Sequence, residues 1–417
     1  MRSYLFVCLL FVWVLWGCDD TPNGNAKASL IQSSPPRQVV LTWQQDPSTT
    51  MTITWRTDDL PGRPFLRVSD RPDARRSWSI HEPVTYRFEQ SPGWIHTVEL
   101  TGLIPGYEYF VVIDHPDQPQ DFSFRTIPDG VGREDLVFLA GGDSRSRRDV
   151  RREMNRLAAQ QEPHFVLFDG DFINTPLSEE QWDEWFDDWH ELLITPSGRR
   201  IPVVPAIGNH EVDGGYLQTP DQAPYFFNRL ITPGRSSYYV LEFGPQMALI
   251  TLDSDHTATV EVQVPWLDSV LQAHHDTRWK IVQYHVAAWP SVRDFNGDIP
   301  KKIRKHWVPL MEKYGVNLVV EAHDHAFKRT VPIRNQQRDD VHGIVYIGDG
   351  GWGAPLRETR NAKDFWWLED AFPADHFWRI TLAADASSLK VEPVFRPQSA
   401  PFILKASPEL VTQPENP

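Results

Sequence analysis

From Arg37 to Ile127 apolar and polar residues alternate. Val39, Leu41 and Trp43 form one run, Met51, Ile53 and Trp55 a second, Tyr107, Tyr109 and Val111 a third, and Phe122 with Phe124 a fourth. A period of two is that of half-buried strands, and turn signals such as LPGRP and DHPDQP separate the runs, so the pattern predicts a small antiparallel β-sandwich over 37–127. After a linker at 128–134 short apolar runs alternate with helical spacing, which predicts an α/β domain over 135–396. Its expected strands are 135–140, 164–168, 201–206, 247–252, 279–284 and 317–321, and its expected helices include 148–160, 179–193 and 301–314. Trp182, Trp185, Phe186, Trp189 and Leu193 fall on one helical face; that stripe reads as core packing rather than a ligand platform. The basic front of 301–314 reads as a solvated face. Residues 397–417 are Pro-rich and read as a loose tail.

Composition narrows the partners. The 417 residues carry a formal net charge of −15 with no long basic run, which argues against nucleic acid. A phosphate-handling site in such a chain needs local positive charge, most simply metal. The two cysteines, Cys8 and Cys18, both lie at the N-terminus, so metal ligands must come from His, Asp, Asn and Glu.

Residues 1–17 have one Arg followed by an apolar run too short for a comfortable membrane span, the layout of a secretory signal. Leu15-Trp16-Gly17-Cys18 resembles a bacterial lipoprotein box. The resemblance implies lipidation of Cys18, with residues 18–36 as a flexible tether; an ordinary signal peptide with an incidental Cys is the competing reading. Asp19 matches the pattern of inner-membrane retention in proteobacterial lipoproteins. The expected location is therefore the bacterial cell envelope, facing the periplasm, with membrane contact through the lipid anchor and no evident protein partner. Further on, Leu103-Ile104-Pro105-Gly106-Tyr107-Glu108-Tyr109 resembles the tyrosine corner of fibronectin type III domains. No catalytic constellation appears in that β segment, which reads as a spacer packed on an enzyme.

Most of the expected α/β strands end in a group able to bind a cation. The ends are Gly142-Asp143, Gly170-Asp171, Gly208-Asn209-His210-Glu211, His285, and His323 with His325. In open α/β sheets, sites form beyond the carboxyl ends of strands, so these groups can converge. Flanking glycines let the backbone turn sharply there. One Gly-Asp pair is common in turns; the ordered series is what carries information.

The series resembles the calcineurin-like metallophosphoesterases, and most closely their purple acid phosphatase branch, which also places a fibronectin-like domain in front. QVVLTWQQDPSTTMTITW at 38–55, AHDHAFKR at 322–329 and VYIGDGGWG at 345–353 extend the resemblance over residues 37–396. It implies a four-layer α/β/β/α sandwich preceded by an all-β fibronectin III-like sandwich. It also implies two metal ions, with Asp171 bridging, Asp143 and His325 on the first ion, and Asn209, His285 and His323 on the second. His210 would contact the phosphate or protonate the leaving group. A carboxylate between two dications about 4 Å apart offsets their repulsion, and a water they share is acidified to a bridging hydroxide nucleophile near neutral pH.

Two positions depart from the family. The tyrosine that binds ferric iron is Asn174 here, so two divalent ions (Mn, Zn or Fe) are expected in place of a ferric-tyrosinate centre. Where other calcineurin-like enzymes have a histidine two residues after the first aspartate, this chain has Arg145, which leaves the first ion fewer ligands. Arg145 reads either as a partner of a substrate phosphate oxygen or as a surface arginine of the stretch 145–152. The expected function is hydrolysis of small phosphate monoesters; a phosphodiesterase with the same metals, or an inactive lipid-tethered binding protein, are the alternatives.

Overall fold

The structure, a computed structural model, describes residues 34–60, 62, 64–73, 78–130, 134–397 and 409–412; Cys18 and the expected signal and tether lie outside them. The first eight strands are β1 (Arg37–Thr42), β2 (Met51–Thr57), β3 (Leu66–Ser69), β4 (Ser79–His81), β5 (Val84–Tyr86), β6 (Trp94–Leu100), β7 (Glu108–Ile113) and β8 (Gln120–Arg125). They form two antiparallel four-stranded sheets, β1-β2-β6-β5 and β4-β3-β7-β8. The corner motif is closed by the Ile104 N–H, which donates to the Tyr109 hydroxyl at 2.8 Å.

The α/β part runs β9 (Leu136–Gly141), α1 (Arg148–Ala159), β10 (Phe165–Phe168), α2 (Glu179–Leu192), β11 (Val203–Pro205), α3 (Pro224–Arg229), β12 (Tyr239–Phe243), β13 (Met247–Thr251) and α4 (Val264–Ala273). It continues β14 (Trp279–Val286), α5 (Asp298–His306), α6 (Val308–Lys313), β15 (Leu318–Ala322), β16 (Phe327–Thr330), β17 (Ile333–Arg334), β18 (Gln337–Arg338), β19 (Val345–Gly348), β20 (Leu368–Phe372), β21 (His376–Leu382), β22 (Ser388–Phe395) and β23 (Glu409–Thr412). One sheet has the order β11-β10-β9-β21-β22-β23, the other β12-β13-β14-β15-β19-β16-β20.

Side-chain alternation sorts each strand between two cores. Phe165 and Leu167 of β10 face the core between the sheets, with Leu249, Ile281 and Val320 opposite. Val166 and Phe168 face the core under α1 and α2, where Trp182, Trp185, Phe186 and Trp189 are all buried. The second sheet repeats this with α4, α5 and α6 over Ile250, Val282 and Val319. The result is four layers, α/β/β/α.

Two expectations need correction. Residues 301–314 do not form one helix: the chain breaks at Trp307, because Pro309 in the first turn of α6 has no N–H to continue the α5 ladder. Part of the expected loose tail is a strand, since Glu409–Thr412 pairs antiparallel with β22, Val391 opposite Glu409; 398–408 and 413–417 lie outside the described residues.

The β-sandwich is packed into the α/β part. Trp43 meets Phe165 and Phe243 edge-on at 5.9 and 6.0 Å. Arg56, nearly buried, pairs with Glu179 at 2.7 Å and with Asp183, and the Val39 N–H donates to His190 Nδ1 at 3.0 Å.

Candidate metal centre

β9, β10, β11, β14 and β15 deliver their polar ends to one place. Asp143, Asp171, His323 and His325 all have φ between 55 and 79°. That is the left-handed region, which costs a non-glycine residue on the order of 1–3 kcal/mol and persists where the surroundings over-determine it. Hydrogen bonds supply the constraint. The His323 N–H donates to Asp143 Oδ2 (2.8 Å), tying the two sheets together at their strand ends. Glu211, buried, accepts three backbone N–H groups at 2.8 Å each, from Asp171, Phe172 and Gly208. It locks the loop after β10 to the loop after β11. A Cβ on Gly208 would lie 2.5 Å from both Asp171 N and Oδ1, so this approach requires glycine.

The ligand-type atoms form two groups of three that share Asp171: Asp143, Asp171 and His325, and Asp171, His285 and His323, with the atoms of each group within 4.8 Å of one another and every residue buried. In the first group His325 Nε2 lies 3.0 Å from Asp143 Oδ1, while its Nδ1 donates to the Pro355 carbonyl (3.0 Å). In the second, His285 Nδ1 donates to the Asp169 carbonyl (2.8 Å), which turns Nε2 toward Asp171 Oδ1 (3.3 Å), Asn209 Oδ1 (3.2 Å) and His323 Nδ1 (3.0 Å). Asn209 thus joins the second group. Strand β14 extends through Val286, so His285 sits inside its irregular last turn of pairing rather than after it.

Electrostatics favour cations here. Asp143 Oδ1 and Asp171 Oδ2 are buried and accept no well-aligned hydrogen bond, although His325 Nε2 and Arg145 Nε lie 3.0 and 3.4 Å from them; such carboxylate oxygens are costly to bury and favour a bound cation. Burial acts to raise the Asp171 carboxyl, but His285, His210 and His323 hold it well below the ordinary range. Burial acts to lower His285, and Asp171 outweighs it, pushing the imidazole up to about 9. Burial, then the charges of His285 and Arg293, holds His323 well below its usual value. Imidazole, carboxylate and amide oxygen together suit zinc, manganese or iron, so the residues present fit two such ions.

His210 belongs to neither group. Its N–H donates to Asp171 Oδ1 (3.0 Å), its Nδ1 donates to the Asn174 carbonyl (2.7 Å), and its Nε2 lies 3.9 Å from Asp171 Oδ2 with the side chain 26% exposed. Arg145 does reach the centre: Nε is 3.4 Å from Asp171 Oδ2 and Nη2 3.4 Å from His325 Nε2. Asn174 Oδ1 accepts from Arg145 Nη1 at 2.8 Å, so it anchors the guanidinium rather than offering itself as a ligand. Ser144 Oγ is buried between the Phe172 carbonyl and the Trp185 indole N–H. From the loop 212–237, Tyr216 places its hydroxyl 3.4 Å from His323 Nε2 and stacks on buried His256. Tyr225, in α3, instead bonds Gln90 and Glu179 at the β-sandwich contact.

Two sheets face to face, with two acid–imidazole clusters sharing one aspartate at their strand ends, define a dimetal phosphoesterase. The chain belongs to the calcineurin-like phosphoesterase family, whose model matches residues 115–327. A second model, the purple acid phosphatase N-terminal domain, matches residues 36–126. Among similar proteins are an uncharacterised protein of Mycobacterium tuberculosis (26% identical, 88% of this chain, 76% of the relative) and human acid phosphatase type 7 (24%, 78% and 80%). Purple acid phosphatase PPD1 from yellow lupin seeds shares the fold with a TM-score of 0.74 at 18% identity, over 88% of this chain and 73% of that one. The chain is a metallophosphoesterase, a hydrolase of phosphoric esters.

Proposed function

We propose that this chain hydrolyses small phosphate monoesters at the bacterial cell envelope, held there by a lipid on Cys18. The observation that carries the hydrolysis is the pair of clusters meeting at buried Asp171, with His210 and Arg145 beside them but outside the ligand trios. Asp143, His325 and Asp171 would hold one divalent ion, and Asn209, His285, His323 and Asp171 the other. When bound, such ions supply Lewis acidity toward the phosphoryl oxygens and lower the pKa of water toward neutrality. Manganese, zinc and iron(II) are the ions expected, because Asn174 stands where a ferric tyrosinate would need a phenol.

The chain's own groups do the rest. Arg145, braced on Asn174, can donate to a phosphoryl oxygen, adding positive charge where a dianionic monoester carries its negative charge. His210 is fixed by its Nδ1–H bond, so Nε2 is the nitrogen that exchanges a proton with the leaving oxygen. Arg145 and His210, which stand beside the clusters and outside the ligand trios, support a monoester, whose dianion carries more negative charge than a diester's monoanion.

The test supplies the chain from Asp19 onward with Mn, Zn or Fe and compares an aryl phosphate monoester with the matching bis-aryl diester, using Asn209→Ala as blank. Faster monoester hydrolysis that disappears in the variant is expected. A diester preference overturns the substrate class, and no rate above the blank with any metal favours a binding protein. For the anchor, palmitate labelling of the full chain in a bacterial host should be lost in Cys18→Ala; no label in the unaltered chain overturns the lipoprotein reading.

A further inference from the structure

The residue between the two histidines of the β15 loop is a buried organiser. The Asp324 carboxylate accepts the backbone N–H groups of Ser291 (2.7 Å), Val292 (2.7 Å) and Arg293 (3.2 Å). It pins the turn after β14 and so delivers Arg293 to the rim of the centre, where Nε donates to the His323 carbonyl at 3.3 Å. Arg357 arrives from the opposite direction in sequence. Its backbone N–H donates to the His325 carbonyl (3.1 Å), and its Nη1 donates to the same His323 oxygen at 3.2 Å.

Two guanidinium groups therefore share one neutral acceptor, with the Asp324 carboxylate, already committed to three backbone N–H groups, the nearest acid to Arg293; a bound anion would add to this pair the charge that it lacks. The Arg293 side chain is 39% exposed, with Asp324 Oδ1 at 3.7 Å. Arg357 makes no ion pair among the described residues. With Arg145, whose Nη2 lies 3.4 Å from His325 Nε2, three arginines touch the His323–His325 segment in a chain of net charge −15. Tyr216 reaches the same histidine, its hydroxyl 3.4 Å from His323 Nε2. Because both guanidiniums rest on the backbone of His323 rather than on the ligand atoms, an anion bound to them lies beside the metal clusters.

We propose that Arg293 and Arg357 form a second anion subsite, so that the preferred ester carries a second phosphate or a carboxylate on its leaving alcohol. This rests on the monoesterase reading, and it names the substrate class that reading leaves open.

Binding tests it without turnover. Calorimetry on the zinc-loaded chain would compare alkane bisphosphonates with two-, three- and four-carbon spacers against the matching alkylphosphonates. At least one bisphosphonate should bind roughly tenfold tighter than its monophosphonate, the scale of a charge-assisted hydrogen bond at a part-exposed site. Arg293→Gln and Arg357→Gln should each shrink that ratio, and the double variant should bring it near one, with Lys at either position restoring part of it. Values of kcat/KM for propane-1,3-diyl bisphosphate, 3-(phosphonooxy)propanoate and 3-hydroxypropyl phosphate then separate a second phosphate from a carboxylate. A ratio near one in the unaltered chain, or the same ratio in all variants, overturns the subsite. If 3-hydroxypropyl phosphate is still hydrolysed in that case, the monoesterase reading survives; a bisphosphonate preference with no ester hydrolysed sinks that reading and leaves the subsite standing.

Discussion

Glu211 gives the sharpest quantitative test of how the centre is held. Its two oxygens take three backbone N–H groups from loops that carry Asp171 and Asn209. Replacing it with Ala orphans three buried donors, each costing on the order of 1–2 kcal/mol, so Glu211→Ala should lose about 3–6 kcal/mol. Burial and the adjacent Asp171 charge push the Glu211 carboxyl up to about 8. Gln keeps one accepting oxygen, but its NH2 cannot accept and leaves at least one of the three N–H groups without a partner, so Glu211→Gln should cost less than Ala, about 1–3 kcal/mol. It should still loosen both loops, lowering metal affinity about 10–100-fold, the range seen when groups that orient ligands are removed. Urea unfolding of the metal-free chain measures the first quantity and zinc titration the second. Normal zinc affinity and an unchanged urea midpoint in Glu211→Gln would refute the argument that this side chain sets the ligand geometry.

Gly350 has φ +83, and a Cβ there would sit 1.9 Å from Asp143 Oδ2; Gly350→Ala should therefore displace Asp143 and leave one ion per chain by elemental analysis, whereas two tightly held ions would contradict the packing argument. Stability should also fall in acid. Burial pushes His96 and His164 down to about 4 and His190 to about 3. Their folded pKa lies below the unfolded value of 6.5, so the unfolded chain binds more protons between those limits. The stabilisation is complete above pH 6.5 and is lost as pH falls through the folded values. For His96, held between Thr57 and Thr85 hydroxyls, the loss from pH 7 to 5 is about 2 kcal/mol. Urea midpoints at the two pH values, compared with His96→Gln, should show a shallower slope in the variant; equal slopes would remove His96 from the account.

What could be read from the sequence, and what could not, follows from how far each signal reaches along the chain. Asp143, Asp171, Asn209, His285, His323 and His325 are legible because each follows a short apolar run and three of them sit beside a glycine, a local pattern with one structural consequence. The double-sheet architecture is legible for the same reason, as β10 alternates between two apolar cores. Arg293 and Arg357 are not, because their place depends on Asp324 and on two backbone carbonyls that fold, not spacing, brings near. Glu211 was visible as a neighbour of His210 but its three N–H partners come from loops 40 residues apart. The break at Trp307 and the strand at 409–412 were missed for opposite reasons. In the first, helical spacing continued through a proline; in the second, a Pro-rich composition concealed a segment that pairs with β22.

The central claim is that two ions sit in clusters joined by Asp171 while His210 acts beside them. The direct measurement is metal content and turnover together, in the unaltered chain, Asp171→Ala and His210→Ala, each expressed with zinc or manganese. The account predicts two ions and turnover in the first, loss of both in Asp171→Ala, and retained metal with slow turnover in His210→Ala. Metal lost from His210→Ala, or retained in full by Asp171→Ala, would contradict it.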